Sequence, residues 1–358
     1  MIYAFTIITI FQSIIKISRK KSSYLILLAM MLVISIGNYF NADYLVYERM
    51  YNNAEYSRLE PGFSLLMSLG KTIGLSYHQF ATLIILLGFV IVLSTLKNLN
   101  ITNYVLLAYL FYPFLLDVTQ IRFFLSVAIF VYSSKYLIND DKISIVKYLI
   151  CIFLSASIHI SSLFYLIFIL LKFKNYSVKK FVKLSIIFLA ISFVFIVFLN
   201  NNQIPFIDNL LKVFDMEIYY VYFNTKVDFG FIIPMFYYLA SIYLLKKSLS
   251  IIRKSEYYGD KEEKFGNLVL GMHIISIILF PLFLVNLQFI RFYRSLAILK
   301  YSVFAITDLS IKRKTKLRYS YNIQVIIFVV INFVMELILQ DRFTRVFIPL
   351  FENNLLFR

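Results

Sequence analysis

Apolar stretches long enough to cross about 30 Å of hydrocarbon recur from one end of this 358-residue chain to the other. Inside a bilayer no water satisfies backbone N–H and C=O groups, so segments of this kind must be helices. We place twelve spans near residues 2 to 17, 23 to 40, 79 to 96, 104 to 117, 122 to 138, 144 to 158, 160 to 172, 181 to 199, 230 to 246, 267 to 285, 293 to 310 and 322 to 339. Those at 104 to 117, 144 to 158 and 160 to 172 are short, which reads as tilted, broken or re-entrant helix. The expected fold class is an all-α polytopic membrane protein forming one integral membrane domain over 1–358. Two outward-facing loops are expected, at 41–78, with a short amphipathic helix, and at 200–229.

The charges test this layout, because loops that stay in the cytoplasm retain Lys and Arg. Alternate loops do separate. Clusters at Lys16 to Lys21, Lys97, Lys135 to Lys147, Lys172 to Lys183, Lys246 to Lys264 and Lys312 to Arg318 hold 24 of the 36 basic residues. Both termini and the loops with Arg49, Arg58, Arg122, Arg291 and Arg294 then face outward. The net charge of +17 is thus topogenic and lipid-facing, and gives no support to nucleic-acid binding. The first apolar run lacks a basic n-region and a small-residue cleavage site, so it reads as a span and not a signal peptide. The single cysteine, Cys151, excludes a disulfide framework, and no P-loop, dinucleotide or zincin motif occurs. We expect no cofactor and no metal.

Against this apolar background the outward polar residues stand out. Arg122, Arg291 and Arg294 are wedged at the edges of long apolar runs, where a cation costs a few kcal/mol unless an anion, a cavity or the interface receives it. Arg291 and Arg294 share a helical face, and phosphate is the anion their planar forks serve best; the plainer reading is that both snorkel to lipid headgroups. Asp117, Gln120 and Arg122 lie within six residues, so Asp117 and Arg122 either pair with each other or serve a ligand, with Gln120 as an extra donor and acceptor. His159, among Ser155, Ser157, Ser161 and Ser162, is either a satisfied core residue or a general base. In the 41–78 loop, Tyr44, Tyr47 and Tyr51 recur at helical spacing, as membrane-interface anchors or as a sugar-facing strip. Glu60 precedes Pro61, which starts a helix running to Gly70, and so serves as a helix-terminal carboxylate or as a catalytic one.

Taken in order, Asp43-Tyr44-x-x-Tyr47, Glu60-Pro-Gly62-Phe, Gln120-Ile-Arg122-x-x-Leu-Ser-Val-Ala128, Ser155-Ala-Ser-Ile-His159-Ile-Ser-Ser162 and Arg291-Phe-x-Arg294 resemble the EpsG-like branch of the Wzy-type bacterial polysaccharide polymerases. The resemblance covers about residues 35 to 300. Where the family often has Gln-Gly-Leu-Ala after Gln-Ile-Arg, this chain has Phe-Phe-Leu-Ser-Val-Ala. It implies a multi-pass enzyme of the bacterial cytoplasmic (inner) membrane, GT-C-like in architecture. Such enzymes join polyprenyl-diphosphate-linked O-antigen, capsule or exopolysaccharide repeat units at the outer face, with a chain-length regulator and a flippase as partners. On this reading Arg122, Arg291, Arg294 and Gln120 bind diphosphate. His159 is the leading base, with Glu60 or Asp43 as alternatives, and Tyr44, Tyr47 and Asp117 contact saccharide. A lipid-linked-oligosaccharide flippase would put its basic residues in a cavity open to both sides, between related halves, and no internal repeat is visible. A polysaccharide-modifying membrane acyltransferase would need some key groups on the cytoplasmic side.

The charge pattern makes a direct prediction. Reporter fusions at Lys254 and Lys314 should read as cytoplasmic. A periplasm-active reporter lighting up at either position would overturn the orientation.

Overall fold

The computed structural model describes residues 2–16, 23–39, 41–55, 59–96, 99–139, 141–172, 178–200, 209, 212, 227, 229–255, 259–338 and 342–357. Among them there is no strand, and the chain is an all-α protein built from apolar helices. Four helices are long and apolar enough to cross a membrane: Tyr77–Thr95, Lys180–Val197, Asp260–Val285 and Lys316–Leu337. Shorter apolar helices cover Tyr3–Ser13, Tyr24–Ile36, Ile101–Asp117 and Ile160–Lys172. Each of the twelve apolar segments coincides with helical structure, but eight fall short of a full crossing by length or hydropathy. The loop expected at 200–229 lies almost wholly outside the described residues.

Two helices form the centre. In Ile121–Ser133 every residue but Arg122 and Tyr132 is buried, and in Ala297–Ser310 every residue but Leu309. Helices buried on every side in this way form the interior of the bundle. Around them stand helices with outward apolar faces, such as Ile186 and Ile191, Ile150 and Phe153, and Ile323 and Ile326, all more than half exposed. Exposed apolar faces on this scale need a lipid solvent, which makes this a membrane protein. The Ile101–Asp117 segment is broken at Tyr112 and Pro113, where the backbone leaves helical geometry.

The 41–78 region folds as two helices, Ala42–Asn52 and Pro61–Thr72. Asn41 caps the first by accepting the Tyr44 N–H at 2.9 Å. The three tyrosines do not form one exposed strip. Tyr44 and Tyr51, seven residues apart, turn inward onto Tyr77 (4.8 Å between centroids) and Phe80 (5.3 Å), because this helix packs on Tyr77–Thr95. Tyr47 instead turns its hydroxyl to Arg122. The second helix starts with Pro61 at its first position, as its sequence requires, and lies against Lys142–Ile158. The approach is closest at Gly62, where an added Cβ would stand 2.3 Å from Ser157 Oγ and 2.8 Å from the Ser157 carbonyl oxygen. Backbone cannot step aside as a side chain can, so this contact requires glycine.

Gly62→Ala should therefore push the two helices apart and destabilise the protein by about 1–3 kcal/mol. The thermal midpoint of the purified protein in detergent measures this. An unchanged midpoint would mean that the pair repacks without strain.

Candidate active site

At the outer end of the bundle, as the charge pattern orients it, a cavity of about 430 Å3 opens among the ends of five segments. Asp43 and Tyr47 come from the first helix of the 41–78 region, Glu60 from the start of the second, and Gln120 and Arg122 from the start of the central helix. His159 comes from the break after Ile158, and Arg291 from the turn Arg291–Arg294. Seven of the ten candidate residues thus line one space. Its other wall is apolar, with Leu163, Phe164, Leu282, Phe289 and Phe292.

Arg122 is held from three sides. Its Nε donates to the Tyr47 hydroxyl at 2.8 Å, one Nη donates to Glu60, and its guanidinium lies 5.0 Å from the Tyr47 ring centroid and 5.8 Å from that of Phe63. The other Glu60 oxygen accepts the backbone N–H of Ile160 at 3.0 Å. Glu60 makes no side-chain cap of its own helix; its carboxylate joins Arg122 to the residue after His159. Arg291 donates to Gln288 at 2.8 Å, a partner three residues earlier that the sequence reading missed although its spacing was a signal.

The expected Asp117–Arg122 pairing does not occur. Asp117 ends one helix and Arg122 begins the next, and the break between them turns the two side chains apart. Asp117 instead pairs with Arg294 Nε at 2.9 Å and accepts the Tyr109 hydroxyl at 2.7 Å, all behind the cavity wall. Arg294 is only 3% exposed, stacks over Phe123 with its guanidinium 4.8 Å from the ring centroid, and donates an Nη–H to Gln120 Oε1. That bond turns the Gln120 carbonyl inward, which leaves its amide N–H groups as the donors offered to the cavity. Tyr44 is also outside the cavity, its hydroxyl 3.5 Å from His78 Nδ1. Asp117, Arg294 and Tyr44 do not line this cavity.

His159 and Asp43 carry the acid–base chemistry open to this site. His159 leaves helical geometry at φ −149°, ψ 111° as the cap of Lys142–Ile158. Its Nδ1 receives the Ser161 backbone N–H at 3.3 Å and lies 2.7 Å from Ser161 Oγ. A backbone N–H can only donate, so we assign the ring proton to Nε2, which makes the imidazole a hydrogen-bond donor beyond Ser161. Burial first, and then the fields of Arg122, Arg291 and Arg294, hold its pKa far below the ordinary histidine value, at about 3. The ring is neutral at physiological pH. Asp43 is shifted in the useful direction for a base: burial raises its pKa above the ordinary carboxylate value, against the lowering pull of Arg291, then Arg122 and Arg294. Among the described residues no hydrogen bond or ion pair engages its carboxylate, whereas that of Glu60 is bonded at both oxygens.

Fold and site together define a polytopic membrane protein with, at one end of its bundle, a cavity lined by arginines on one wall and by apolar side chains on the other. The chain belongs to the EpsG family, whose family model matches residues 21–350. No curated protein and no solved structure matches it.

The ion pairs separate by burial into two kinds with different expected phenotypes. Arg294→Ala or Asp117→Ala strands a buried charge and should destabilise by about 3–5 kcal/mol, lowering the protein level in the membrane. Replacing both, as Asp117→Leu with Arg294→Met, should recover much of that loss. Arg122→Ala, at the edge of an open cavity, should leave the level near wild type. Immunoblots of membranes and thermal midpoints check the contrast, and a normal level for Arg294→Ala would refute it.

Proposed function

We propose that this protein is a polysaccharide polymerase joining polyprenyl-diphosphate-linked oligosaccharide repeat units at the outer face of a bacterial cytoplasmic membrane. EpsG membership supports a polysaccharide polymerase-like role. The observation that carries the finer reading is the meeting of two arginines and a partner-free carboxylate on one cavity that is walled by hydrocarbon on its far side. A lipid diphosphate needs both walls at once. Arg122 and Arg291 receive the diphosphate, helped by the Gln120 amide and the His159 Nε2–H, while Leu163, Phe164 and Phe289 take the first isoprene units. Tyr47 offers its ring to saccharide.

In the reaction the bond between the anomeric carbon of the growing chain and its diphosphate oxygen breaks, and a bond from that carbon to an acceptor sugar hydroxyl forms. The departing diphosphate gains negative charge, which the two guanidiniums stabilise more strongly in the transition state than in the ground state. The acceptor's proton goes to Asp43. His159, its lone-pair nitrogen already occupied, serves as a donor; Glu60 positions Arg122 and the His159 turn. Arg294 and Asp117 act from behind by orienting Gln120. We read the chain as crossing the membrane twelve times with both termini outward, and as working beside a flippase and a chain-length regulator.

Deleting the gene and sizing the lipid-linked glycans tests the function. Single repeat units accumulating outside mean a polymerase; the same units trapped inside mean a flippase, and unchanged polymer lacking a substituent means an acyltransferase.

The roles have their own tests in transfer assays with purified enzyme. Arg122→Ala and Arg291→Ala should each slow transfer by about 30-fold to 1000-fold, the value of one charge-assisted contact in the transition state. Asp43→Asn should cost at least about 100-fold, and His159→Gln, which keeps a donor, should be much milder. Because a base works deprotonated, the rate should fall as pH drops through the raised Asp43 pKa. No separate limb should appear at the ordinary histidine value, since His159 stays neutral there. A fast Asp43→Asn variant beside a dead His159→Gln variant would return the base to His159.

A further inference from the structure

Lys300 stands in the central Ala297–Ser310 helix, 5% exposed, with no carboxylate at ion-pair distance among the described residues. Its ammonium donates one hydrogen bond, to Ser241 Oγ at 3.2 Å, and lies 4.7 Å from the Phe328 ring centroid and 5.5 Å from that of Tyr301. Two of its three N–H groups are left over. Beside it is a cavity of about 20 Å3 that Lys300 shares with Tyr293, His273 and Asn332. The Tyr293 hydroxyl, buried at that wall, also has no hydrogen-bond partner.

Several of the other polar groups around this cavity hydrogen-bond elsewhere. Tyr238 donates to the His273 carbonyl, His273 Nδ1 lies 2.9 Å from the Val269 carbonyl, Asn332 donates to the Phe328 carbonyl at 2.6 Å, and Ser241 donates to the Tyr237 carbonyl at 3.0 Å. Facing the space are a cation with spare donors and the spare Tyr293 hydroxyl, with Tyr112 also at the wall, and a buried charge must be compensated. The room suffices for one small occupant. A water would fill the space but return no charge.

We propose that this cavity is a binding site for a small monovalent anion of chloride size, held by the Lys300 ammonium and the Tyr293 hydroxyl and locking the central helix to its neighbours Ile232–Arg253 and Asp260–Ile275. The proposal is independent of the chemistry assigned to the outer cavity.

The test uses the full-length protein in detergent or nanodiscs, with sodium chloride titrated against sodium gluconate at fixed ionic strength. An anion that binds the folded state raises the thermal midpoint saturably. Chloride and bromide should do so and sulfate, too large for the cavity, should not. Tyr293→Phe should weaken the apparent chloride affinity by about tenfold, the loss of one hydrogen bond. Lys300→Met should abolish the response. Should Lys300→Met fail to fold, the Tyr293→Phe titration and line broadening of the chloride-35 resonance by wild-type protein remain decisive. No halide dependence in wild type, or an equal response in wild type and Tyr293→Phe, would overturn the site and leave a water or a neutral amine in its place.

Discussion

The Glu60 carboxylate is the joint on which the cavity-bearing end of this protein depends. One oxygen takes an N–H from Arg122 at the start of the central helix; the other takes the backbone N–H of Ile160, just past the His159 break. Three stretches of chain far apart in sequence are thereby fixed by one side chain. The joint works only because Gly62 lets its helix approach Ser157 without a Cβ between them. The pair lies at the cavity's edge with side chains 17% and 11% exposed, and its worth lies in geometry. It aims Arg122 across the cavity mouth, with Tyr47 and Phe63 behind the guanidinium.

The helices and the grouping of the candidate site residues were legible in the sequence, because hydrocarbon thickness and the loop charges are long-range constraints that leave a plain record. Asp43, Glu60, Arg122, His159 and Arg291 were expected on one side from loop charge alone, and they do line one cavity. What could not be read was which charge faces which. Asp117 and Arg122 are five residues apart and looked like partners, yet a helix end lies between them, and each finds its counter-ion far along the chain. Sequence distance misleads where the backbone reverses direction. The His159 ring was equally opaque, since its tautomer follows from a backbone N–H two residues on, a contact that no composition records. Tyr44 and Tyr47 share a spacing pattern but part company because neighbouring helices claim one side of their helix and not the other.

The two arginine systems differ in kind. Arg294 and Asp117 are sealed from water, with Tyr109 and Gln120 completing their hydrogen bonds, so neither can be released to a ligand without stranding the other. Their use is orientation: the Gln120 amide is set by the Arg294 bond. Arg122 and Arg291 border the open space, where an arriving anion can share their N–H groups while Glu60 and Gln288 stay in place. A sequence pattern of arginines at membrane edges contains both kinds without distinguishing them. Burial does so.

The charges that line the outer cavity also bear on how a base can work there. Arg122 and Arg291 face Glu60 and Asp43, so two cations are matched by two carboxylates and the empty space is close to neutral. On the proposed reading, a diphosphate entering this space brings negative charge that is not matched in advance. Among the titratable groups it would meet is Asp43, whose carboxylate has no bonded partner to hold it ionised and whose arginine neighbours would then be shared with phosphate. The arginines lower the Asp43 pKa when the site is empty; sharing them removes part of that lowering, and the nearby anion adds a raising effect of its own. The carboxylate therefore becomes more basic when donor binds, and more so as the diphosphate departs and its charge grows. Coupling of this kind would match proton uptake from the acceptor to the moment at which the leaving group develops, with no separate switch needed.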